Sequence, residues 1–149
     1  MLNNQKKFCD NQPNNFHIYE EIGIGESTVV YKGRKKKTIE YIAVKSLEKN
    51  KKKKVLNEVK ISNNLIHHNI LRFYNWYETK NHLWMIVEFC AGGDLMKIIE
   101  KDKQLSEVEI KKLGKDIING LQYMHSSGVI HGDLKPSNLL LNEYNEVRI

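Results

Sequence analysis

The stretch Val129–Leu141, VIHGDLKPSNLLL, carries the strongest pattern in the sequence. It contains three polar residues at tight spacing, Asp133, Lys135 and Asn138. An Asp can accept the proton of an attacking hydroxyl, a Lys can stabilise charge on a transferring phosphoryl group, and an amide oxygen can ligate Mg²⁺. Asp and Asn are also common in plain surface turns. The apolar residues at both ends of the stretch favour a loop that is anchored in a core on both sides.

A second pattern lies upstream, in the glycine-containing stretch Ile22–Gly33, IGIGESTVVYKG. Gly23 and Gly25 form a Gly-x-Gly pair, and the residues that follow are strand-like rather than helical. This order excludes the strand-to-helix glycine turn of a dinucleotide fold and predicts the tip of a hairpin. Such a hairpin can offer backbone N–H groups to phosphates, although Thr28 stands where a third glycine would complete the pattern. No Walker A motif is present in the sequence.

Lys45 ends the segment Ile42-Ala43-Val44-Lys45, where a charge is hard to explain by packing. A Lys below a glycine hairpin could pair with phosphate oxygens, and it would need a carboxylate to position it. Glu58 is the candidate, because it lies among apolar residues of the next predicted helix. Taken alone, Glu58 would be read as a surface residue of that helix.

The first ninety residues are predicted to form five strands and one helix, after a polar segment that is expected to be disordered at 1–15. The strands are expected at 19–23, 27–32, 40–46, 71–78 and 82–89, and the helix at 53–65.

Beyond residue 90 the pattern becomes helical. Asp94 is predicted to cap a short helix that runs through Glu100, and Ser106 with Glu109 matches a capping box. The helix that follows is expected at 106–126, because its apolar residues recur at spacings of three and four, which indicates core packing. They are Ile110, Leu113, Ile117, Leu121 and Met124. Another strand is expected to begin at Val147.

The composition, 40% apolar and 28% charged residues, is typical of a soluble globular domain. The longest apolar run, Leu83–Val87, is far shorter than the roughly 20 residues that cross a bilayer, so no membrane partner is expected. Only two cysteines, Cys9 and Cys90, are present, and this usage predicts a reducing, cytoplasmic location.

The net charge of +6 comes from 21 Lys and 3 Arg. Because nucleic-acid recognition favours Arg, no nucleic-acid partner is expected; that alternative would require strongly salt-dependent binding.

In this order and at these distances, the motifs resemble those of the eukaryotic protein kinases. The resemblance covers nearly the whole chain after Phe16, and it rests on IGIGESTVV, AVK, NEV, HHNIL, IVEFCAGGDL and HGDLKPSNLLL. A Lys two residues after the Asp, as in DLKPSN, is similar to serine/threonine kinases rather than to tyrosine kinases. The sequence around these motifs resembles that of the Fused-like branch of kinases, especially the plant RUNKEL-type kinases.

The resemblance implies an α+β fold of the protein-kinase type. Residues 16–90 would form an N-lobe with a five-stranded antiparallel sheet and one helix, and residues 91–149 would begin a helical C-lobe. The implied activity is phosphoryl transfer from ATP, with Mg²⁺, to a Ser or Thr hydroxyl of a protein substrate. The alternative is a nucleotide-binding pseudokinase or scaffold of the same fold, with scaffold or cytoskeletal partners.

The resemblance also implies a role for each matching residue. Gly23 and Gly25 would cover the phosphates, and Lys45, paired with Glu58, would hold them. The residues expected to enclose the adenine and the ribose are Ile22, Val30, Ala43 and Leu140 around the ring, Val87 as gatekeeper, Glu88 and Cys90 as hinge, and Asp94 at the ribose. In the loop, Asp133 would be the base, Lys135 the phosphoryl stabiliser and Asn138 a metal ligand, with His131 bracing the backbone.

Two departures from the family pattern are visible. Gly132 stands where the family usually has an Arg that meets a phosphate on the activation loop, so regulation of that kind is not expected. The Asp-Phe-Gly motif, whose Asp ligates Mg²⁺, would follow within a few residues of Val147–Ile149. The chain is therefore expected to be an N-terminal portion of a kinase. Such a portion is expected to be poorly stable and almost without phosphotransfer by itself.

Overall fold

The computed structural model describes residues 15–25, 28–102 and 104–149. The predicted disordered segment, apart from Asn15, and the turn at 26–27 of the glycine hairpin lie outside the described residues. The chain divides into two compact units. The first contains the described residues up to Asn63 together with Phe73–Phe89, and the second contains Asn64–Arg72 together with Cys90–Ile149.

The first unit is a five-stranded antiparallel sheet with one helix, as predicted. The strands pair in the order β1-β2-β3-β5-β4. Their bounds, and that of the helix, are β1 Phe16–Gly25, β2 Thr28–Lys35, β3 Tyr41–Glu48, α1 Lys52–Asn64, β4 Phe73–Glu78 and β5 His82–Glu88.

Alternation along β3 gives the sheet of the first unit two different faces. Leu47 on one face joins Leu83 and Met85 of β5 and the buried Val55 and Val59 of α1 in a single core cluster. A second cluster consists of Ile42 and Val44 from the alternate positions of β3, with Ile86 of β5. Because each strand of the central pair is apolar on both faces, β3 and β5 are the most buried elements of this unit.

The second unit is built from two helices and a small three-stranded sheet. Its elements are β6 Gly93–Asp94, α2 Leu95–Asp102, α3 Glu107–Ser126, β7 Leu140–Leu141 and β8 Val147–Arg148. The predicted capping box is present, since Ser106 accepts a hydrogen bond from Glu109 N and the Glu109 side chain accepts one from Ser106 N. The core of the unit combines residues of the helices and of the small sheet, namely Leu95, Leu113, Leu139, Leu141 and Val147.

Two apolar residues that were predicted to be buried are exposed. Ile110 lies in the first turn of α3 and is 55% exposed, whereas the core members on this helix begin one turn later, at Leu113. Ile130 is 83% exposed although Val129, its neighbour, packs against the cluster of Leu65, Ile70 and Met124. Consecutive residues of an extended segment point to opposite sides, so only one of the two can enter the core.

None of the helices within the described ranges is long and apolar enough to cross a membrane.

Gly92 provides a test of the packing in the second unit. A Cβ atom added to Gly92 would lie 2.9 Å from both the Cβ and the backbone oxygen of Leu141 in β7. We expect Gly92→Ala to lower the free energy of unfolding by about 1–3 kcal/mol, because backbone atoms cannot move aside cheaply. The matched control is Gly114→Ala in α3, where no atom lies within 4 Å of the added carbon. That change should leave stability unchanged or raise it by about 1 kcal/mol. Thermal unfolding of both variants measures the difference, and equal stability would contradict the described packing.

Candidate active site

The loop between α3 and β7 brings the three predicted residues into direct contact. Lys135 Nζ lies 3.0 Å from Asp133 Oδ2. Asn138 Nδ2 donates hydrogen bonds to the backbone oxygen and to Oδ2 of Asp133, both at 2.8 Å. A single turn of 3₁₀-helix at Pro136–Asn138 produces this arrangement, because Asn138 N donates to Lys135 O and turns the Asn back toward the Asp. Asp133, Lys135 and Asn138, which lie close together in the sequence, therefore form one compact polar cluster.

The charge of the Asp133 carboxylate is set by these contacts. Hydrogen bonds first from Lys135 and then from Asn138 lower the pKa of Asp133 below its usual value of 3.8. The contacts thus favour the ionised form, which an exposed Asp already adopts at neutral pH, and the carboxylate can accept a hydrogen bond. Because Asp133 and Lys135 are both exposed, their ion pair contributes little to stability and serves mainly to orient the two groups.

The backbone just before Asp133 has its own support. Asp133 N donates to His131 Nδ1 at 3.3 Å, so His131 braces the loop through an acceptor contact. Gly132 has a φ of +77°, in the left-handed region where glycine avoids the steric cost of a side chain. Although no atom lies within 4 Å of a Cβ at Gly132, an Arg there would carry backbone strain.

The amide group of Asn138 is oriented for a cation. Its nitrogen is committed to Asp133, which leaves the amide oxygen, the atom that can ligate a metal, outside these hydrogen bonds. In the described part of the chain, no three His, Cys, Asp or Glu side chains lie together as a metal-binding group. Mg²⁺ is commonly bound by one or two carboxylates together with substrate phosphates, so the Asn138 amide oxygen could supply only one part of its coordination.

Lys45 and Glu58 form the second predicted contact, within the first unit. Lys45 Nζ lies 3.3 Å from Glu58 Oε1, and both side chains are partly exposed. Lys45 lies on β3 opposite Val30 of β2 and Met85 of β5, which fixes it in the middle of the sheet. The burial of Val55 and Val59 fixes the rotation of α1, and so turns Glu58 toward the strand.

The other predicted residues of the first unit lie along the same strands. Gly23 pairs with Val30, and Gly25 forms the last pair of the hairpin with Thr28. Ile22 lies at an irregularity of β1 and is exposed, so within this unit it is the least enclosed of the predicted adenine contacts. Two of the buried members, Ala43 of β3 and Val87 of β5, form a cross-strand pair, and the partly buried Glu88 pairs with Ile42.

Three of the residues predicted to contact the adenine and ribose belong to the second unit, namely Cys90, Asp94 and Leu140. Asp94 pairs with Leu140 in the small sheet. Asp94 Oδ1 accepts a hydrogen bond from Lys97 N at 2.9 Å, and Oδ2 lies 3.3 Å from Lys97 Nζ. Asp94 therefore caps α2, as predicted, and a ribose contact would compete with these bonds. The Cys90 side chain is buried.

The charge of Asp133 can be measured directly. In the parent protein we expect the carboxyl carbon of Asp133, followed by NMR, to titrate with a pKa below 3.8. In Lys135→Met the pKa should rise, since the contact that lowers it most is removed. Because this pKa is lowered on folding, its stabilisation is present above about pH 4 and is lost as the pH falls through the folded pKa. Lys111→Met on α3 is the control and should leave the titration unchanged; a parent pKa at or above 3.8 would contradict the geometry.

Comparison with known families identifies the class of protein to which this fold and these two contacts belong. The protein kinase domain family matches residues 16–149. The chain belongs to this family.

Several of the similar proteins are named as serine/threonine-protein kinases. The chain is 52% identical over 136 residues to the serine/threonine-protein kinase RUNKEL of Arabidopsis thaliana, which is 91% of this chain and 10% of that protein. It is 45% identical over 127 residues to the serine/threonine-protein kinase ULK4 of Mus musculus, which is 85% of this chain and 10% of that protein. It is 38% identical over 138 residues to the maternal embryonic leucine zipper kinase of Danio rerio, covering 90% of this chain and 20% of that protein. The chain thus spans about a tenth of the length of the first two relatives.

Proposed function

We propose that this chain contains the nucleotide-binding elements and catalytic loop of an ATP-dependent protein serine/threonine kinase. The observation that carries the proposal is the Asp133 carboxylate, which contacts both Lys135 and Asn138 in one short loop. The Lys45–Glu58 pair supports it independently, since a point charge held by a carboxylate suits phosphate binding.

In the proposed reaction a Ser or Thr hydroxyl oxygen of a protein substrate bonds to the γ-phosphorus of ATP. The bond from that phosphorus to the bridging oxygen breaks, and ADP leaves with the electron pair. Asp133 accepts the hydroxyl proton, and Lys135 stabilises negative charge on the transferring phosphoryl group. Asn138 would hold Mg²⁺, which when bound with ATP neutralises charge on the phosphate oxygens.

Nucleotide binding is proposed for the residues that match the motifs of the family. Lys45, positioned by Glu58, would pair with the α- and β-phosphates beneath the backbone of Gly23 and Gly25. The residues proposed to contact the adenine and ribose remain Ile22, Val30, Ala43, Val87, Glu88, Cys90, Asp94 and Leu140. Of these, Ala43, Val87 and Cys90 are buried, which suits apolar contact with a base.

The cellular setting is also part of the proposal. We place the protein in the cytoplasm, where Cys90 would stay a reduced thiol. Its partners would be ATP and a protein substrate, together with scaffold or cytoskeletal proteins.

The test is phosphotransfer by the full-length protein to an equimolar mixture of Ser-, Thr- and Tyr-containing peptides. We expect phosphate on Ser and Thr and none on Tyr, with Asp133→Asn as the inactive comparison. Binding of ATP without transfer to any peptide, under conditions in which Lys45→Met weakens that binding, would replace the enzyme with a nucleotide-binding pseudokinase. Transfer to Tyr alone would contradict the assigned substrate class.

A further inference from the structure

The start of helix α1 has an unfavourable charge. The helix begins with Lys52-Lys53-Lys54, and its first turn contains no acidic residue. A helix N-terminus carries a partial positive charge from its unpaired N–H groups, so cations there destabilise the helix. The turn of 3₁₀-helix that precedes it, Lys49–Lys51, adds further basic residues. The sequence of this segment alone therefore does not explain why α1 begins where it does.

A carboxylate from the sheet supplies the missing negative charge. Glu78, the last residue of β4, forms ion pairs with both Lys49 and Lys52. Lys52 Nζ lies 2.8 Å from Oε2 and 3.1 Å from Oε1 of Glu78. Hydrogen bonds from Lys49 and Lys52 lower the pKa of Glu78, so the carboxylate stays charged at neutral pH. One acidic side chain thus bridges the turn before α1 and the first residue of the helix.

The turn that follows Glu78 is itself held in place. Thr79 N donates to His82 O at 2.9 Å, and Trp84 Nε1 donates to Thr79 Oγ1 at 3.1 Å. A backbone hydrogen bond of 3.2 Å joins Lys49 N to Asn81 O, so Lys49 is attached to this hairpin by its backbone as well as by its side chain. Because this turn is fixed, the Glu78 side chain has a defined position and can fix the positions of Lys49 and Lys52.

We propose that Glu78 is a positioning residue, which fixes the start of α1 and thereby holds Glu58 opposite Lys45. Lys52 and Glu58 are six residues apart on one helix, less than two turns, so a displacement of the helix start moves Glu58 with it. The inference rests on the proposed function, in which the Lys45–Glu58 pair serves ATP. It assigns to Glu78 an effect on ATP that acts through Glu58, without contact between Glu78 and the nucleotide.

A double-mutant cycle in the full-length protein tests the proposal, with the dissociation constant of ATP with Mg²⁺ as the readout. Glu78→Gln is expected to raise this constant about threefold, a size typical of partly exposed ion pairs. In a Glu58→Gln background the same change should have no further effect, because the residue through which Glu78 acts is already removed. A role confined to stability would lower the unfolding temperature equally in both backgrounds and would leave ATP affinity alone. Equal affinity losses in the two backgrounds, or no loss in either, would overturn the positioning role.

A charge-swapped variant provides a rescue. Glu78→Lys combined with Lys49→Glu and Lys52→Glu restores both ion pairs and places an acidic residue at the helix start. We expect its ATP affinity to return to the parent value, while Glu78→Lys alone stays weaker; failure of the rescue with the fold intact would overturn the proposal. Glu40→Gln, in the exposed turn between β2 and β3, is the control for loss of an unrelated carboxylate.

The same measurements separate this inference from the proposed function. ATP affinity that is insensitive to Lys45→Met would contradict the proposed nucleotide role of the Lys45–Glu58 pair. Affinity that falls with Lys45→Met but not with Glu78→Gln would overturn the positioning role alone.

Discussion

Replacing Asp133 with Asn in the full-length protein is expected to lower kcat for phosphoryl transfer by about 10²- to 10⁴-fold, the usual contribution of a general base. Asn has nearly the same shape, and its amide oxygen can still accept the hydrogen bond from Asn138. It cannot accept a proton, and it loses the ion pair with Lys135. The change therefore removes the chemistry of the side chain while leaving the loop in place.

The measurement is the initial rate at saturating ATP and peptide, together with ATP affinity. Affinity should stay close to that of the parent, because Asp133 is assigned to the hydroxyl and not to the nucleotide. Glu143→Gln, the same carboxylate-to-amide change in the exposed turn between β7 and β8, is the matched control. A rate for Asp133→Asn within about threefold of the parent rate would remove Asp133 from the role of base.

Lys45→Met has the second large expected effect. Loss of one positive charge at the phosphates is expected to lower kcat by about 10²-fold, comparable to the loss of one donor at a developing charge. The change also leaves Glu58 without its partner at 3.3 Å. Rates and ATP affinity of the full-length variant measure both consequences.

The contact between Lys45 and Glu58 allows a second test of this prediction. Because Lys45 and Glu58 act as a unit, the double variant Lys45→Met with Glu58→Gln should be little worse than Lys45→Met alone. Lys60→Met, on the exposed side of α1, controls for loss of a Lys from the same unit. Additive losses from Lys45 and Glu58 would show that the two residues act separately.

The parts of the fold and site that could be predicted are those encoded over short distances. Asp133, Lys135 and Asn138 lie within six residues, so one turn of 3₁₀-helix is enough to bring them together. Alternation in β3 and β5, and spacings of three and four in α3, follow directly from the periods of strand and helix. The Lys45–Glu58 contact is longer in sequence, and it was predicted from the resemblance together with the apolar neighbours of Glu58.

The features that were not predicted depend on distant partners. The strands β6 and β7 are two residues each, too short for a periodic pattern, and they exist because their partners meet in space. The equally short β8 was predicted only as a strand that begins at Val147. The segment Asn64–Arg72 belongs to the second unit because Asn69 accepts from Ile149 N and Leu71 donates to Ile149 O, contacts that nothing local encodes.

The contact between Glu78 and Lys52 could not be predicted from local sequence either. It lies 26 residues after Lys52, and only the register of the sheet brings the two together. The lysine run Lys51–Lys54 spans the start of α1, where the partial charge of the helix end disfavours cations. Its charge, rather than its spacing, was the signal that a carboxylate from elsewhere must lie nearby.

The central claim is that the Asp133 loop transfers phosphate, and does not only accompany nucleotide binding. The most direct measurement is a single-turnover reaction of the full-length protein with γ-labelled ATP, Mg²⁺ and excess Ser/Thr peptide. The account predicts that the label moves into phosphoserine or phosphothreonine in the parent protein, and that it stays in ATP when Asp133 is replaced by Asn. Label that stays in ATP in the parent protein, with the nucleotide demonstrably bound, would contradict the claim.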